Sequence, residues 1–382
     1  MTTLNVLSYN LMLPVRKPIR IYGQEDRAQR VHEAVGILDN EFEVDVVLVN
    51  ELIPTIYRDV VENHMKEKGF QYHSKPIQDK ATVDGGVIVF SKHPIIHQDF
   101  ELYGSHCAGS DCFAAKGIVY VQISKNNQIF HLFGTHLQAW SDPDSQWARK
   151  EQIRIMQRFM SHQTISTNEA VLLVGDINVD YFLQSDQLKH LMKLSELELP
   201  EIEEESHAFT VDPLQNVLVG NDDPSQYKTS DYPHGCLPEY LKTLACPCCP
   251  EEWIDYVFYS KKHLQPIKSR IRSIPLKVEP FKMEIARGHE IESQDISDHF
   301  PVLARFEFPF LPRQKVDVTK ELKPLSRSRN SNHYQTTAII AIVIGIFMVF
   351  ALITLIALYV KNNYSTFTLE KAEEAPMTLM TS

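Results

Sequence analysis

Two short stretches, VGDIN at residues 174–178 and SDHFP at residues 297–301, decide how this chain folds. The first ends an apolar run that begins at residue 170, and the second precedes an apolar run over residues 302–308. Both runs have the length and composition of buried β-strands, and a carboxylate interrupts each apolar pattern. A carboxylate beside a buried strand costs several kcal/mol, on the order of its desolvation penalty, unless it has a partner. The pattern therefore predicts strands whose ends carry functional side chains.

Four more strand-like runs end in the same way. The polar residues at these ends are Asn10, Glu51, His136 and Asp255. Each of them alone also fits a polar strand cap facing solvent, but six such ends in one chain indicate a shared site. Hard divalent cations prefer oxygen ligands and keep several water molecules, so one Glu with Asn and Asp nearby favours Mg²⁺.

With these motifs the sequence resembles the magnesium-dependent endonuclease/exonuclease/phosphatase superfamily, which has the DNase I-like fold. Within that superfamily it is most similar to the neutral sphingomyelinases, over about residues 3–308. Three further stretches resemble the sphingomyelinases specifically: DGG at 84–86, KGIVY at 116–120 and GTHLQA at 134–139. The resemblance implies an α/β fold, a four-layered α/β/β/α sandwich, and hydrolysis of sphingomyelin to ceramide and phosphocholine.

The resemblance also implies a metal site and a general base. Glu51 is expected to hold Mg²⁺, with Asn10 helping through a water molecule, and Mn²⁺ is a candidate substitute. His299 is the expected general base on the attacking water, since an unperturbed imidazole has a pKa near neutrality. Asp255 is expected to accept a hydrogen bond from the other ring nitrogen and so fix the tautomer.

Four more residues complete the catalytic set that the resemblance implies. Asp176 and Asn178 are expected to orient the water or the substrate phosphate. His136 is expected across the phosphate, where it stabilises it or protonates the departing ceramide alkoxide. Asp298 precedes the expected base in the SDHFP motif. Which histidine serves as acid and which as base follows from the family and not from the residues themselves.

Composition fits an enzyme acting on lipid better than one that binds nucleic acid. The chain has 382 residues, of which 43% are hydrophobic, and a net charge of −11. Six Lys and Arg residues are concentrated between positions 313 and 337, so the residues before them are more acidic still. A duplex-binding surface needs several basic residues to displace counterions from phosphates. No nucleic-acid partner is therefore expected, and sphingomyelin in a membrane is the expected one.

A membrane anchor is predicted near the C-terminus. Residues 338–360 contain no charged side chain and are long enough to cross a hydrocarbon core of about 30 Å. No signal peptide opens the chain, and more basic residues precede the span than follow it, which places the preceding domain in the cytosol. The predicted organisation is a catalytic domain over 1–310, a basic linker over 311–337, the span over 338–360 and a tail over 361–382.

Strand and helix periodicities agree with a two-sheet sandwich covered by helices. Strands are predicted near residues 3–9, 44–50, 85–91, 116–123, 128–135, 170–176, 253–260 and 299–308. Helices are predicted near residues 24–39, 54–68, 144–161 and 184–195. Residues 199–250 read as an irregular, partly acidic insert. Residues 276–285, where bacterial relatives carry an aromatic membrane hairpin, offer only Phe281 and Met283 among charged residues.

The six cysteines allow two interpretations. A cytosolic domain disfavours disulfides, so ordinary reduced cysteines are expected. The alternative is a structural zinc site in the insert. Such a site needs four ligands within tetrahedral reach of the metal. The residues that would form it are Cys246, Cys248 and Cys249, with Cys236 or His234 as the fourth ligand.

Three rival functions remain at this stage. A phosphodiesterase acting on another choline lysophospholipid or an inositol lipid would keep the same residues. A nuclease or an inositol-phosphate phosphatase would keep the metal core but would want a basic substrate groove. A membrane scaffold without activity predicts loss of at least one of the six polar strand ends, and all six are present.

Overall fold

The computed structural model describes residues 1–13, 23–77, 83–219, 251–286 and 289–311. The chain divides into two units, Met1–Ser328 and Arg329–Ser382, and all described residues lie in the first. The predicted linker, span and tail lie outside the described residues. In the part of the chain that is described, no helix has the length and apolarity needed to cross a bilayer.

The first sheet has seven strands, and alternating apolar residues bury both of its faces. In chain order its strands are β1 (Thr2–Leu13), β2 (Val46–Leu52), β3 (Tyr72–His73), β4 (Ile88–Ser91), β10 (Glu201–Ile202), β12 (Lys268–Ser273) and β15 (Val302–Phe308). Across the sheet the order is β10-β12-β15-β1-β2-β4-β3. In β1, Leu4 and Val6 point into the core shared with the second sheet, while Leu7 and Tyr9 point to the opposite face. This alternation follows from the two-residue period of a strand.

The second sheet has six strands and packs against the first. In chain order its strands are β5 (Ile95–Leu102), β6 (Gly117–Lys125), β7 (Gln128–His136), β8 (Ala170–Asp176), β9 (Leu197–Glu198) and β11 (Asp255–Ser260). Across the sheet the order is β5-β6-β7-β8-β11-β9. A separate hairpin is formed by β13 (Phe281–Ala286) and β14 (His289–Ser293).

Helices cover the outer faces of both sheets. The helices are α1 (Gln24–Phe42), α2 (Thr55–Glu67), α3 (Pro143–His162) and α4 (Ser185–Ser195), with a 3₁₀ helix over Gly109–Phe113. The buried side of α1 and α2 belongs to the core on the outer face of the first sheet, and that of α3 and α4 packs on the second sheet. The predicted α/β, four-layered DNase I-like sandwich is therefore confirmed.

The predicted helices and strands are confirmed with shifts of a few residues at their ends, but several strands were not predicted. Strand β5 alternates polar and apolar residues and was overlooked. Strand β12 carries Lys268, Arg270 and Arg272, and its sequence has no apolar run from which a strand could be predicted. These strands form because their backbones pair with β6 and β15, a tertiary effect that local composition does not show.

The cysteine prediction was wrong for one pair. Cys107, two residues before the 3₁₀ helix, forms a disulfide with Cys112 inside that helix. The loop between them is docked on the segment that follows β7, since the Ala108 backbone N–H donates to Gln138. The four other cysteines, and the zinc alternative with them, lie outside the described residues.

Candidate active site

The two sheets bring the predicted polar strand ends to one edge of the sandwich. In the first sheet, Asn10 at the end of β1 pairs in register with Asn50 at the end of β2. In the second sheet, Asp176 on β8 is in register with His136 on β7 and with Asp255 on β11. Since the sheets stack face to face, these two rows of polar side chains meet across the core.

The backbone at this edge is shaped for close contact between loops. Gly175 has a φ of 139°, and a Cβ at this position would collide with the carbonyl oxygen of Thr135 on the neighbouring strand. Asn50 ties the two sheets together, because its side chain donates to the Thr135 carbonyl and accepts from the Asp176 N–H, both at 3.0 Å. The second half of the VGDIN motif is therefore held in place from both sheets.

The SDHFP loop brings a histidine and a carboxylate into a buried dyad. His299 Nδ1 lies 2.7 Å from Asp255 Oδ2, and both side chains are buried. Asp298 lies on the other side of the ring, with its Oδ1 3.9 Å from His299 Nε2. The predicted role of Asp255, to fix the orientation of the imidazole, is the one that this geometry supports.

The loop itself is fixed by buried hydrogen bonds. The Ser297 hydroxyl donates to the carbonyl of Asn10 at 2.6 Å, and the His299 N–H donates to the same hydroxyl at 3.1 Å. The Ser297 carbonyl accepts from the side chain of Asn216 at 2.8 Å. Part of the region predicted to be an insert therefore supports the catalytic loop.

A second group of side chains lies beside the dyad. The Asn10 side-chain amide donates to Glu51 Oε1 and to Asp176 Oδ2, at 3.0 Å in each case. His136 Nε2 lies 3.5 Å from Asp176 Oδ2 and 4.0 Å from Glu51 Oε1. One amide and one imidazole thus stand between two carboxylates that are close to each other.

Burial raises the pKa values of the Glu51 and Asp176 carboxylates. Desolvation, reinforced by the charge of Asp298, raises the pKa of Glu51 above its ordinary value. Desolvation, together with the nearby charge of Asp255, raises the pKa of Asp176 to about 7. A divalent cation would offset this concentration of negative charge and return both groups to the ionised form.

The two histidines of the site are pushed in opposite directions. Desolvation, with Lys116 and His299 adding positive charge, moves the pKa of His136 well below its ordinary value. Desolvation also acts against the charged form of His299, but Asp255 and Asp298 outweigh it and raise that pKa well above its ordinary value. Such opposed pairs are typical of sites where one group holds a proton and the other does not.

The donors present suit a hard cation. Asp176, Asp255 and His299 each offer a ligand atom within 4.8 Å of the others. Asp255 Oδ1 is buried, and none of the described residues gives it a hydrogen bond. Because Asp255 Oδ2 is committed to His299, the oxygens left for a cation are Asp255 Oδ1 and those of Glu51 and Asp176, with the Asn10 amide between the last two. This oxygen-rich set fits Mg²⁺ or Mn²⁺ better than zinc.

The structure brings all the predicted site residues to one edge, and it gives Asn178 a contact that was not predicted. Its side-chain amide donates to the carbonyl of Leu137 at 3.1 Å and so links the loops after β7 and β8. Two participants were not predicted. Asn50 precedes Glu51 in the same strand end, and Lys116 is buried with its Nζ 2.7 Å from both the Leu137 carbonyl and Asp111. For Lys116, the signal available in the sequence was a lysine at the start of the strand-like stretch KGIVY at 116–120.

Comparison with known proteins agrees with this geometry. Residues 39–305 match the family described as Endonuclease/Exonuclease/phosphatase family 2. The chain is 28% identical to Sphingomyelinase C of Listeria ivanovii over 78% of its own length and 84% of that protein. It is 29% identical to Phospholipase C of Staphylococcus aureus over 79% of its length and 87% of that protein.

One solved structure adds a metal to the comparison. A mutant beta toxin from Staphylococcus aureus, with bound magnesium ions, matches with a TM-score of 0.65 and 25% identity. The match covers 80% of this chain and all of the toxin chain.

Proposed function

The chain belongs to Endonuclease/Exonuclease/phosphatase family 2, and from this membership we propose that it is a magnesium-dependent phosphodiesterase that hydrolyses sphingomyelin to ceramide and phosphocholine. The observation that carries the proposal is the buried His299–Asp255 dyad, which lies beside the carboxylates of Glu51 and Asp176. A base and an oxygen-rich cation site at the same edge are what phosphodiester hydrolysis requires. The names of the Listeria and Staphylococcus relatives support a phospholipid as the substrate.

Glu51 and Asp176 are the residues that would hold the cation, with Asn10 between them. When bound, Mg²⁺ or Mn²⁺ would supply Lewis-acid polarisation of a non-bridging phosphoryl oxygen. Asn10 keeps the two carboxylates at a fixed distance through its 3.0 Å hydrogen bonds, so the site is organised before a ligand arrives.

His299 removes a proton from the attacking water through Nε2, the nitrogen that is not bonded to Asp255. Asp255 keeps Nδ1 protonated and stabilises the imidazolium that forms. The oxygen of the water bonds to phosphorus while the bond from phosphorus to the ceramide oxygen breaks. The departing alkoxide takes up a proton from solvent water, the imidazolium of His299 returns its proton to solvent, and phosphocholine is the other product.

His136 lies beside Asp176 and Glu51, on the phosphate side of the site. Desolvation, together with the positive charges of Lys116 and His299, moves the pKa of His136 well below its ordinary value. This direction favours the first of the two expected roles, stabilisation of the phosphate. Lys116 adds a buried positive charge at 2.7 Å from the carbonyl of Leu137, the residue that follows His136.

The site is tested by assaying the purified full-length chain in detergent micelles, with and without Mg²⁺, against three substrates: labelled sphingomyelin, lysophosphatidylcholine and duplex DNA. We expect sphingomyelin hydrolysis that stops with EDTA and returns with Mg²⁺. Faster hydrolysis of lysophosphatidylcholine would move the assignment to a choline lysophospholipid, which the name Phospholipase C of one relative also allows. Cleavage of DNA alone would contradict a lipid substrate.

For the whole chain we propose a catalytic domain over 1–310 followed by a basic linker over 311–337, a single membrane span over 338–360 and a tail over 361–382. The charge-free run of the span and the excess of basic residues before it support a cytosolic catalytic domain. Protease added to the cytosolic side of sealed vesicles should remove the domain and leave the tail protected. The reverse pattern would place the enzyme on the other side of the membrane.

A further inference from the structure

Exposed apolar side chains surround the catalytic edge on loops that also carry catalytic residues. We refer to Phe113, Trp140, Phe182 and Leu183 as the apolar rim. All four are exposed, Trp140 by 61% and Leu183 by 77% of their surface. Trp140 follows the end of β7, and Phe182 and Leu183 follow the end of β8. These three rim residues therefore lie just after the strands that carry His136 and Asp176.

Hydrogen bonds join the rim into one surface. The side chain of Gln184, next to Leu183, donates to the hydroxyl of Ser141, next to Trp140, at 2.8 Å. The backbone N–H of Ala139 donates to Asp111, two residues before Phe113, at 2.9 Å. Hydrogen bonds therefore connect the three segments that carry the rim residues.

The rim is also connected to the catalytic loop through aromatic contacts. The ring of Phe182 lies 5.7 Å from that of Phe209, which lies 6.0 Å from that of His207. His207 in turn lies 5.4 Å from Phe300, the residue after His299. A chain of ring contacts thus joins Phe182 of the rim to the residue that follows the base.

The fold holds Trp140 outward at a conformational cost. Its φ of 70° lies in the left-handed region that a bulky residue rarely adopts. Its carbonyl accepts a 2.8 Å hydrogen bond from Arg149, a fully buried side chain that also binds the carbonyl of Gln138 at 2.6 Å. Strain that the surroundings enforce in this way indicates a functional position.

Charge around the rim identifies the kind of surface it fits. The two segments, residues 137–147 and 180–187, contain no Lys or Arg, and they carry the exposed acids Asp142, Asp144 and Asp186. Of these three, Asp186 has an exposed partner, since Lys189 Nζ lies 3.8 Å from its carboxylate. An anionic membrane would be repelled, whereas a zwitterionic phosphocholine surface presents quaternary ammonium groups that suit both carboxylates and aromatic faces. Tryptophan is moreover enriched at the level of lipid headgroups.

The hairpin side chains that the structure describes do not offer a comparable surface. Phe281 and Met283 on β13 are both buried, and the guanidinium of Arg30 on α1 lies 4.7 Å from the centre of the Phe281 ring. These two apolar side chains are packed against the domain and do not face outward.

We propose that the apolar rim docks the catalytic edge on zwitterionic, phosphocholine-bearing bilayers. The inference rests on the proposed function in that a bilayer lipid must bring its phosphodiester to this edge. The substrate need not leave the membrane, because the rim places the site at headgroup depth.

The test uses the full-length chain with vesicles of phosphatidylcholine whose acyl chains are brominated or unbrominated. The chain has three tryptophans, of which Trp253 is buried, so a Trp147→Phe background leaves Trp140 as the one exposed tryptophan. We expect brominated vesicles to quench its fluorescence by at least about a third. Phe182→Ala/Leu183→Ala in this background should reduce that quenching, since it removes most of the inserted apolar area.

Activity provides the second measurement. In Phe182→Ala/Leu183→Ala, hydrolysis of vesicle sphingomyelin should fall at least about tenfold relative to hydrolysis of a soluble phosphocholine ester. Ile267→Ala is the matched control, because Ile267 is 63% exposed and lies just before β12, at the other end of the sandwich. It should leave both the quenching and the activity ratio at the wild-type value.

Three results would overturn the proposal: an unquenched Trp140 in vesicles, an equal loss on both substrates, or a wild-type dimer that Phe182→Ala/Leu183→Ala converts to monomer. The last would show that a second copy covers the rim. Quenching by phosphatidylcholine vesicles in a protein that hydrolyses no sphingomyelin would leave the docking surface standing and reject the proposed function instead.

Discussion

A buried histidine–carboxylate pair lies at each end of the second sheet. At the catalytic edge His299 Nδ1 lies 2.7 Å from Asp255, and at the opposite edge His131 Nε2 lies 3.0 Å from Glu169. The pairs resemble each other in burial and in chemistry. They differ in what the second ring nitrogen meets.

In the pair at the opposite edge, the Nδ1 of His131 lies 2.7 Å from the hydroxyl of Tyr120, and the two rings stack. Both nitrogens are therefore committed to protein groups, and the pair serves packing. In the catalytic pair, Nε2 of His299 faces Asp298 at 3.9 Å, too far for a hydrogen bond. A histidine–carboxylate pair can transfer protons only where one nitrogen is left to meet a substrate.

The largest expected difference between the two edges concerns their glutamates. Glu51→Gln should lower kcat by at least about 10³-fold, because it removes an anionic ligand from a cation that supplies several kcal/mol of charge stabilisation. Gln has nearly the same volume as Glu, so the packing around the site should be preserved. Glu169→Gln is the matched control, and it should retain near-wild-type kcat with a loss of about 1 kcal/mol in unfolding free energy. Mg²⁺ titration of activity and urea denaturation measure the two effects. Full Mg²⁺-dependent activity in the Glu51 variant would remove that residue from the cation site.

Exchanging the histidines tests the same contrast. His299→Ala should lower kcat by about 10²–10³-fold and leave KM nearly unchanged, because general-base help acts in the transition state. His131→Ala should instead lower the unfolding free energy by about 1–3 kcal/mol, since it leaves buried polar groups without a partner, while folded protein keeps its kcat. Steady-state kinetics and thermal unfolding of both variants distinguish these outcomes. A His299 variant with more than about a tenth of the wild-type kcat would mean that another group is the base.

A smaller effect is expected from the partner of the base. Asp255→Asn should lower kcat by about 10- to 100-fold, because it disturbs the orientation of the ring without removing the base. Asp255 opposes the effect of burial and raises the pKa of His299, so its neutralisation lowers that pKa. Since the base is active when deprotonated, the acidic limb of the kcat/KM profile should move to lower pH. A shift to higher pH, or none, would contradict this role of Asp255.

The sequence predicted one of the two pairs and not the other. His299 and Asp255 interrupt apolar runs next to turn-forming residues, and this irregularity marks them as functional. His131 lies inside the uniformly buried strand β7, and Glu169 lies just before β8, so neither breaks a pattern. Parallel pairing of β7 with β8 brings them together, and single-sequence periodicity does not reveal such pairing.

The same reasoning explains what was missed elsewhere. Asn216 lies in a stretch read as an irregular insert, yet it is buried and donates to the Ser297 carbonyl. Its partner is 81 residues away in sequence, so only the fold reveals the contact. The disulfide between Cys107 and Cys112 was disfavoured on the expectation of a cytosolic domain, and the sequence spacing of the two residues alone does not show that their sulfurs meet.

The smallest predicted effect is the pH dependence of cation activation. Desolvation, followed by the charge of Asp255, raises the pKa of Asp176 to about 7, so a proton competes with the cation for this carboxylate. The ionised form is present above that value and is lost as the pH falls through it. The Mg²⁺ concentration for half-maximal activity should therefore rise about tenfold from pH 8 to pH 6. Asp176→Asn removes the titrating group, so its weaker activation should vary much less with pH, whereas Glu169→Gln at the opposite edge should follow the wild type. A wild-type activation constant that stays flat between pH 6 and 8 would show that Asp176 does not share its charge with the cation.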